Sequence, residues 1–348
     1  MLPCLRILAI ASVVLASVLG LGACASSPRV GKELPRRGEE IMVAGRLFHV
    51  GAPVVLWTDP GGYDAYRVER RFVPFDEANW EATEKAGIAE PARYNLRYQR
   101  TRDAAYSPEQ LEQVRGGGWD LELLRNKVDQ FVLHYDVCGT SRTCFRVLHD
   151  MRGLSIHFML DVDGTIYQTL DVKERAWHAT IANDRSIGVE IANIGAYPPG
   201  DAAPLEEWYE PETLPGGVLS TRLTIPARFA GTGGRGGVRT PSFIARPARP
   251  EPVVGAIHGT TLKQYDLTPA QYESLARLIA ALHKALPAIV IDYPREADGT
   301  LATRKLAPDE FARFRGVLGH YHVQEDKVDP GPAIQWDWLM QRAQKLAR

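Results

Sequence analysis

The sequence lacks an excess of charge of either sign. Its 348 residues contain 41 lysines plus arginines and 42 aspartates plus glutamates, a formal net charge of -1 at pH 7. A protein without a strong positive field does not attract the phosphate backbone of nucleic acids. We therefore expect no nucleic-acid partner. The length leaves room for one large domain or two small ones.

The N-terminus lacks an apolar run long enough to span a membrane comfortably. Arg6 precedes an apolar run over residues 7–20, and Leu21-Gly22-Ala23-Cys24 follows that run. A short apolar segment after an early positive charge is typical of an export signal. The segment resembles a bacterial lipoprotein signal, which implies removal of residues 1–23 and lipidation of Cys24. An ordinary cleaved signal with a chance cysteine is the alternative.

This resemblance implies that acyl chains hold the mature protein on a membrane. Ala25, rather than an aspartate, follows the cysteine, which favours the periplasmic face of the outer membrane. Residues 24–40 are polar and basic, and we expect them to form a tether.

Cysteine is scarce, with four in the whole chain. If Cys4 leaves with the signal and Cys24 carries the lipid, Cys138 and Cys144 remain. Two thiols alone are a poor zinc cage, and an exported protein favours a structural disulfide between them. Two free buried cysteines are the alternative.

The organisation of the chain follows from its apolar runs and its turn residues. Residues 41–120 contain short apolar runs and irregular charged stretches, which predict a small N-terminal extension with β-structure. Residues 121–348 form the main domain. Within it, residues 198–252 are rich in glycine and proline, and we expect an inserted surface loop without a core. Thr268-Pro269-Ala270-Gln271 begins a predicted helix, and residues 288–292 are a predicted strand.

Four further strands are predicted before the inserted loop, at residues 131–134, 155–160, 165–170 and 186–191. The turn at residues 161–164 has glycine where a hairpin needs a positive φ. The first strand ends on a histidine, so neighbouring strands should surround that side chain.

His134, His320 and Asp329 have the residue types of a metal site. Two imidazoles and one carboxylate bind zinc and leave a fourth position free for water. This donor set is typical of a hydrolase.

The chain resembles the zinc-dependent N-acetylmuramoyl-L-alanine amidases of type 2, which share their fold with peptidoglycan recognition proteins. The resemblance covers roughly residues 125–340 and depends on an ordered set of motifs. These are Leu133-His134, Ser155-Ile156-His157-Phe158, Arg175-Ala176-Trp177-His178-Ala179, residues 183–190, Gly319-His320 and Lys327-Val328-Asp329-Pro330-Gly331-Pro332. The resemblance implies an α/β fold, with a central mixed β-sheet flanked by helices and a zinc ion in a groove at one end of the sheet.

By the same resemblance the zinc ligands are His134, His320 and Asp329, the catalytic acid is Glu190 and the lysine is Lys327. Physically, Glu190 can accept the proton of a zinc-activated water and pass it to the leaving amine. Lys327 can stabilise negative charge on the carbonyl oxygen. A solvated strand carboxylate and an ordinary loop lysine are the respective alternatives.

Other residues of these motifs are candidates for contacts with substrate. Trp177 and His178 are expected to line the groove for sugar and peptide, and Arg185 is a candidate for binding substrate carboxylates. His157 is either a core residue or a neighbour of the ligands. His322, two residues after His320, is a rival for the second ligand position.

The resemblance therefore predicts an enzyme that hydrolyses the amide bond between N-acetylmuramic acid and L-alanine in peptidoglycan or muropeptides. Peptidoglycan recognition proteins also carry a disulfide with the spacing of Cys138 and Cys144. A non-catalytic peptidoglycan-binding lipoprotein is the alternative, and a zinc peptidase acting on the stem peptide ranks last. We expect a monomer. The sequence leaves open whether the substrate is the intact sacculus or anhydro-muropeptide fragments.

Overall fold

A computed structural model describes residues 31, 36–88, 93–97, 107–115 and 120–348. The chain divides into two compact units, residues 1–36 and 37–348, and every element named below belongs to the second. Cys24 and the predicted signal lie outside the described residues. Within the described ranges, no helix has both the length and the apolarity needed to cross a membrane.

Short strands and helices make up the second unit. In chain order, the strands are β1 (Glu40–Val43), β2 (Arg46–His49), β3 (Val54–Leu56), β4 (Tyr94–Leu96), β5 (Gln130–Tyr135), β6 (Phe158–Leu160), β7 (Ile166–Gln168), β8 (Glu174–Ala176), β9 (Ser186–Ile191), β10 (Tyr209–Leu214), β11 (Val218–Leu223), β12 (Val253–Ile257), β13 (Thr260–Gln264) and β14 (Gly316–Gly319). The α-helices are α1 (Trp80–Lys85), α2 (Pro108–Arg115), α3 (Leu121–Lys127), α4 (Ser141–Phe145), α5 (Ala203–Trp208), α6 (Ala227–Ala230), α7 (Pro269–Ala285), α8 (Pro308–Arg313) and α9 (Trp336–Leu346).

A mixed six-stranded sheet forms the centre, in the order β14-β5-β9-β6-β7-β3. The first four of these strands are parallel to one another, β7 is antiparallel to β6, and β3 is parallel to β7. The predicted mixed sheet is confirmed. Because β3 belongs to the predicted N-terminal extension, that extension supplies an edge strand of the sheet.

Helices cover both faces of the sheet. On one face, α7 packs Leu275 and Leu278 into the same core cluster as Leu133 of β5. On the other, Phe145 of α4 packs with Met159 of β6. Side chains alternate along a strand, so His134 shares a face with Val132 rather than with Leu133, and this places it opposite α7.

The predicted helix at residue 268 is confirmed as α7. Thr268 caps it, since its hydroxyl accepts a hydrogen bond from the Gln271 amide and the Gln271 side chain accepts one from the Thr268 amide. The strand predicted for residues 288–292 is wrong, because these residues form a turn after the helix.

The expectation of a core-free loop at residues 198–252 is also wrong in part. The segment contains α5, α6 and the antiparallel pair β10–β11, and Trp208 is buried in a small apolar cluster. Gly139, in the turn after β5, lies directly against the Trp208 ring and leaves no space for a Cβ atom. The runs at residues 231–237 and 247–252 are irregular, as expected. The segment is therefore fixed to the central sheet through Trp208.

Candidate active site

His134, His320 and Asp329 converge at the end of the two adjacent strands β5 and β14. The Nδ1 atoms of the two histidines are 3.0 Å apart, and Asp329 Oδ2 lies 2.9 Å from His134 Nδ1 and 3.0 Å from His320 Nδ1. All three residues are buried. Within the described part of the chain they form the one His/Cys/Asp/Glu group compact enough to hold a metal ion.

The hydrogen-bond partners of His320 show why this group fits a cation. Gln324 donates from its Nε2 to Asp326, so its Oε1 faces His320 Nε2 at 2.8 Å. His320 must then donate from Nε2, and a neutral ring that does so has a lone pair on Nδ1. That lone pair points at the Asp329 carboxylate.

His134 follows the same logic. Its Nε2 lies 3.0 Å from Nδ1 of His178, whose Nε2 contacts the Ser186 hydroxyl at 3.3 Å. Burial, followed by the nearby His320, lowers the pKa of His134 to about 4, so the ring is neutral at pH 7. The tautomer of His134 that donates from Nε2 to His178 has its Nδ1 as an acceptor. Three acceptor atoms then face one another, an arrangement that a cation satisfies.

His322 does not compete for this position. Its Nδ1 accepts a hydrogen bond from the Gly319 amide at 2.8 Å, and its Nε2 donates to the Ala302 carbonyl at 2.7 Å. Both ring nitrogens are occupied, so the structure turns His320, and not His322, toward Asp329.

Glu190 lies beside His134. The two residues are directly paired in the parallel register of β9 and β5, so their side chains project from the same face of the sheet. Burial, then the negative charges of Asp329 and Asp136, raises the pKa of Glu190 well above its usual value. A carboxyl group with a raised pKa is a better proton acceptor and donor than an ordinary surface carboxylate.

Lys327 lies on the loop between His320 and Asp329. Its Nζ is 3.2 Å from an Asp326 carboxylate oxygen, and its side chain is 37% exposed. It helps to line the cleft described below.

An open cleft of about 540 Å³ contains these groups. Trp177 and His178 line it together with His134, Glu190 and Lys327. The ring of His178 packs directly against the backbone of Gly188, where a Cβ atom would collide with it. Close packing as well as hydrogen bonds therefore fixes this ring in the cleft. The cleft therefore combines a candidate metal site, a carboxyl group, a cation and an aromatic wall.

The sequence model of the N-acetylmuramoyl-L-alanine amidase family matches residues 124–214. That range includes His134, Trp177, His178 and Glu190. Over these residues the chain is similar to that family.

Solved structures similar to the chain are also amidases. A selenomethionine derivative of AmpD is 18% identical, with 74% of this chain and 90% of that chain covered and a TM-score of 0.31. AmiD from E. coli, in complex with anhydro-N-acetylmuramic acid-L-Ala-D-gamma-Glu-L-Lys, is 18% identical, with coverages of 70% and 61% and a TM-score of 0.33. The endolysin amidase LysCS from Clostridium intestinale is 13% identical, with coverages of 64% and 86% and a TM-score of 0.31. A search of the curated proteins gave no significant match. The similarity to the amidase family rests on the sequence model over residues 124–214 and not on these solved structures.

Arg185 does not reach the cleft. It precedes the first residue of β9, whereas Glu190 lies near the other end of that strand. Its guanidinium binds both carboxylate oxygens of Asp129, at 2.6 and 2.5 Å, and donates to the carbonyl of Ala312 at 2.9 Å. The prediction that Arg185 contacts substrate is therefore corrected, because its donors serve contacts at the opposite end of the sheet.

Cys138 and Cys144 are free thiols, so the predicted disulfide is wrong. Burial, and then a hydrogen bond with Cys138, raises the pKa of Cys144 well above its usual value. The two thiols form a hydrogen bond and not a covalent bond. The turn before α4 is therefore fixed without a disulfide. The Asp136 carboxylate accepts hydrogen bonds from the Cys138 and Gly139 amides, each at 2.9 Å.

His157 is a buried structural neighbour of the site. Its Nδ1 accepts a hydrogen bond from the Gly188 amide at 3.1 Å, and its Nε2 lies 2.9 Å from the Glu174 carbonyl. It thereby fixes the part of β9 that faces His178.

Sequence reasoning missed Gln324, which orients His320. The available signal was its position four residues after that histidine, close enough for a contact on one face of a helical turn. It also missed His258, which contacts the Lys327 loop from a distant hairpin, and the sequence gives no signal for that contact.

Proposed function

We propose that the protein is a zinc-dependent amidase that hydrolyses the bond between N-acetylmuramic acid and L-alanine in peptidoglycan or muropeptides. The observation that carries this proposal is the pairing of Glu190 with His134, beside the three converging acceptor atoms. His134 and Glu190 both lie within residues 124–214, the range that matches the amidase family.

His134, His320 and Asp329 would hold the zinc ion. Zinc in such a site supplies a Lewis acid that lowers the pKa of a water molecule and polarises a carbonyl group. Gln324 and His178 keep the two imidazoles in the orientation that this binding needs.

Glu190 supplies the proton transfers. Its raised pKa allows the carboxylate to take a proton from the attacking water and then to return it to the leaving amine of L-alanine. Lys327 supplies positive charge for the carbonyl oxygen, which becomes negative as the tetrahedral arrangement forms. Together these two side chains perform the acid-base and electrostatic parts of amide hydrolysis.

The substrate lies along the cleft that Trp177 and His178 line. An indole ring offers an apolar surface for a sugar or an alanine methyl group, while a ring N–H and polar neighbours receive amide groups. A muropeptide combines these features, with a sugar on one side of the scissile bond and a peptide on the other.

The decisive experiment measures the products from two substrates, intact sacculi and anhydro-N-acetylmuramic acid-L-Ala-D-gamma-Glu-L-Lys. Mass spectrometry should find cleavage at the bond to L-alanine by the zinc-loaded protein and a loss of about 100-fold or more in Glu190→Gln. Binding of cell wall without cleavage by the wild type would instead support a recognition protein. Cleavage within the stem peptide would support a peptidase.

We also propose that Cys24 anchors the protein by lipid to the periplasmic face of the outer membrane. Support comes from the export signal and Ala25 alone. Replacement of Cys24 by serine should release the protein from the membrane fraction and block lipid-dependent processing. Continued membrane attachment and full processing of that variant would exclude the lipid anchor.

A further inference from the structure

The β12–β13 hairpin contacts the loop that carries Lys327 and Asp329. Its strands pair from Val253 with Gln264 to Ile257 with Thr260, which leaves His258 and Gly259 as a two-residue turn. The hairpin lies outside residues 124–214, the range of the family match. Its position indicates a task in the site that the family match does not assign.

The base of the hairpin holds the later part of that loop. Gln264 is fully buried. Its Nε2 donates to the carbonyl of Pro330 at 3.0 Å, and its Oε1 accepts from the amide of Ala333 at 3.0 Å. Gly255 lies against Pro332, since an added Cβ atom would be 2.7 Å from the Pro332 Cβ. The hairpin base and the loop therefore form one packed unit.

The turn of the hairpin contacts the earlier part of the same loop, at Lys327. His258 Nε2 lies 3.0 Å from the carbonyl oxygen of Lys327. A carbonyl oxygen only accepts, so the ring nitrogen carries the proton and donates. The turn is itself fixed, because the His258 amide donates to the carbonyl of Thr303 at 2.8 Å. Among the described residues, no other side chain hydrogen-bonds to the main chain of Lys327.

The backbone of the turn has a positive φ at both central positions. His258 has a φ of 51° and Gly259 one of 74°, the positive values that a two-residue type I′ turn requires. Asparagine followed by glycine is a preferred sequence for such a turn, and histidine is among the other residues that adopt positive φ. The turn conformation accepts histidine without requiring it, whereas the contact with the Lys327 carbonyl needs a side chain that is long enough to reach it.

We propose that His258 is a positioning residue for Lys327. By fixing the Lys327 carbonyl it restricts the loop, so that the ammonium group on the same residue is held at the mouth of the cleft. This inference rests on the role given to Lys327 in the proposed function. It assigns the β12–β13 hairpin the task of ordering the catalytic loop.

The test uses His258→Asn, which suits the turn but is too short to reach the Lys327 carbonyl. We expect an unchanged or higher Tm, a kcat about tenfold lower and a KM within twofold of wild type, because the loss is one of orientation. Thr261→Ala, at an exposed position of the same hairpin, is the matched control and should retain wild-type kinetics. Combined with Lys327→Ala, His258→Asn should cause no further loss of kcat, because there is no amine left to position.

A second readout does not need activity. Hydrogen exchange of the peptide spanning residues 324–331 should be faster in His258→Asn than in wild type or Thr261→Ala. An unchanged exchange rate, an unchanged kcat in an active enzyme, or a full tenfold loss on top of Lys327→Ala would overturn the proposal. If wild type cleaves nothing while exchange changes as expected, the ordering role stands and the proposed function fails.

Discussion

Replacement of Glu190 by glutamine should make the protein more stable and much less active at the same time. Glu190 is held on β9 beside His134, and no described residue donates a hydrogen bond to its carboxyl group, while burial and two nearby carboxylates raise its pKa. Glutamine has nearly the same shape and carries no charge. The substitution therefore removes the cost of ionising a buried acid together with the proton transfer that we assign to it.

The sign of the stability effect follows from proton linkage. The pKa of Glu190 is higher in the folded than in the unfolded protein, so the folded state keeps its proton after the unfolded state has lost it. Stability then falls as pH rises above the unfolded pKa of about 4.3, and the loss is complete above the folded pKa. Each pH unit between the unfolded and the folded pKa lowers the free energy of unfolding by about 1.4 kcal/mol. At pH 4 the variant and the wild type should therefore be similar.

At pH 7.5 the metal-free variant should have a higher Tm than the metal-free wild type, and each kcal/mol of the difference in stability raises the Tm of a domain this large by about 2 °C. Its kcat with zinc should fall about 100-fold or more. Calorimetry at both pH values and a kinetic assay on muropeptide measure the two effects. Glu210→Gln, at an exposed position of β10, is the matched control and should change neither.

Three results would refute this account of Glu190. The first is a lower Tm of the variant at pH 7.5, which would mean that the charged carboxylate stabilises the fold. The second is an equal difference in Tm at pH 4 and pH 7.5, because the effect would then be one of packing. The third is a kcat within tenfold of wild type, which would exclude Glu190 as the acid-base group.

Two further predictions concern residues around the cleft. Gln324→Ala should weaken zinc binding about tenfold by freeing the ring of His320, as measured by competition with a chelator; unchanged affinity would show that the amide does not orient the ring. Arg185→Ala should destabilise the fold by about 1–3 kcal/mol, because it removes both short hydrogen bonds to the half-buried Asp129 and leaves only the 3.6 Å contact with Arg315, and should leave KM unchanged. A large increase in its KM would restore Arg185 to the substrate site.

The placement of His134 and Glu190 could be predicted from the sequence. Each lies near the end of an apolar run of strand length, and parallel strands that end together bring their last side chains to one edge of a sheet. The start of α7 could be predicted for a similar reason, because a capping box and a proline at the first helical position are local signals.

The choice between His320 and His322 could not be predicted in this way. Both lie in one short 3-10 turn after β14, and the contact of His322 with Ala302 decides which ring faces Asp329. That contact joins residues 20 positions apart. The contact between His258 and Lys327 is of the same kind, since only the folded hairpin brings the two together.

Arg185 illustrates a different limit. Its place in the motif that ends at Glu190 made it a candidate for binding substrate carboxylates, yet five residues along an extended strand span about 17 Å. The two side chains therefore serve opposite ends of the sheet. The glycine and proline runs of residues 198–252 gave no indication that Trp208 would be buried. This side chain attaches the segment to the turn after β5.

The central claim is that His134, His320 and Asp329 hold a zinc ion that the hydrolysis of the bond to L-alanine requires. The most direct measurement follows release of the L-alanine amino terminus from the anhydro-muropeptide by zinc-loaded protein, by chelator-treated protein, and by treated protein after zinc is restored. We expect cleavage, loss of cleavage and recovery, with one zinc bound per chain in wild type and none in Asp329→Ala. Full cleavage by chelated protein with no bound metal, or zinc binding that survives in Asp329→Ala, would contradict the account.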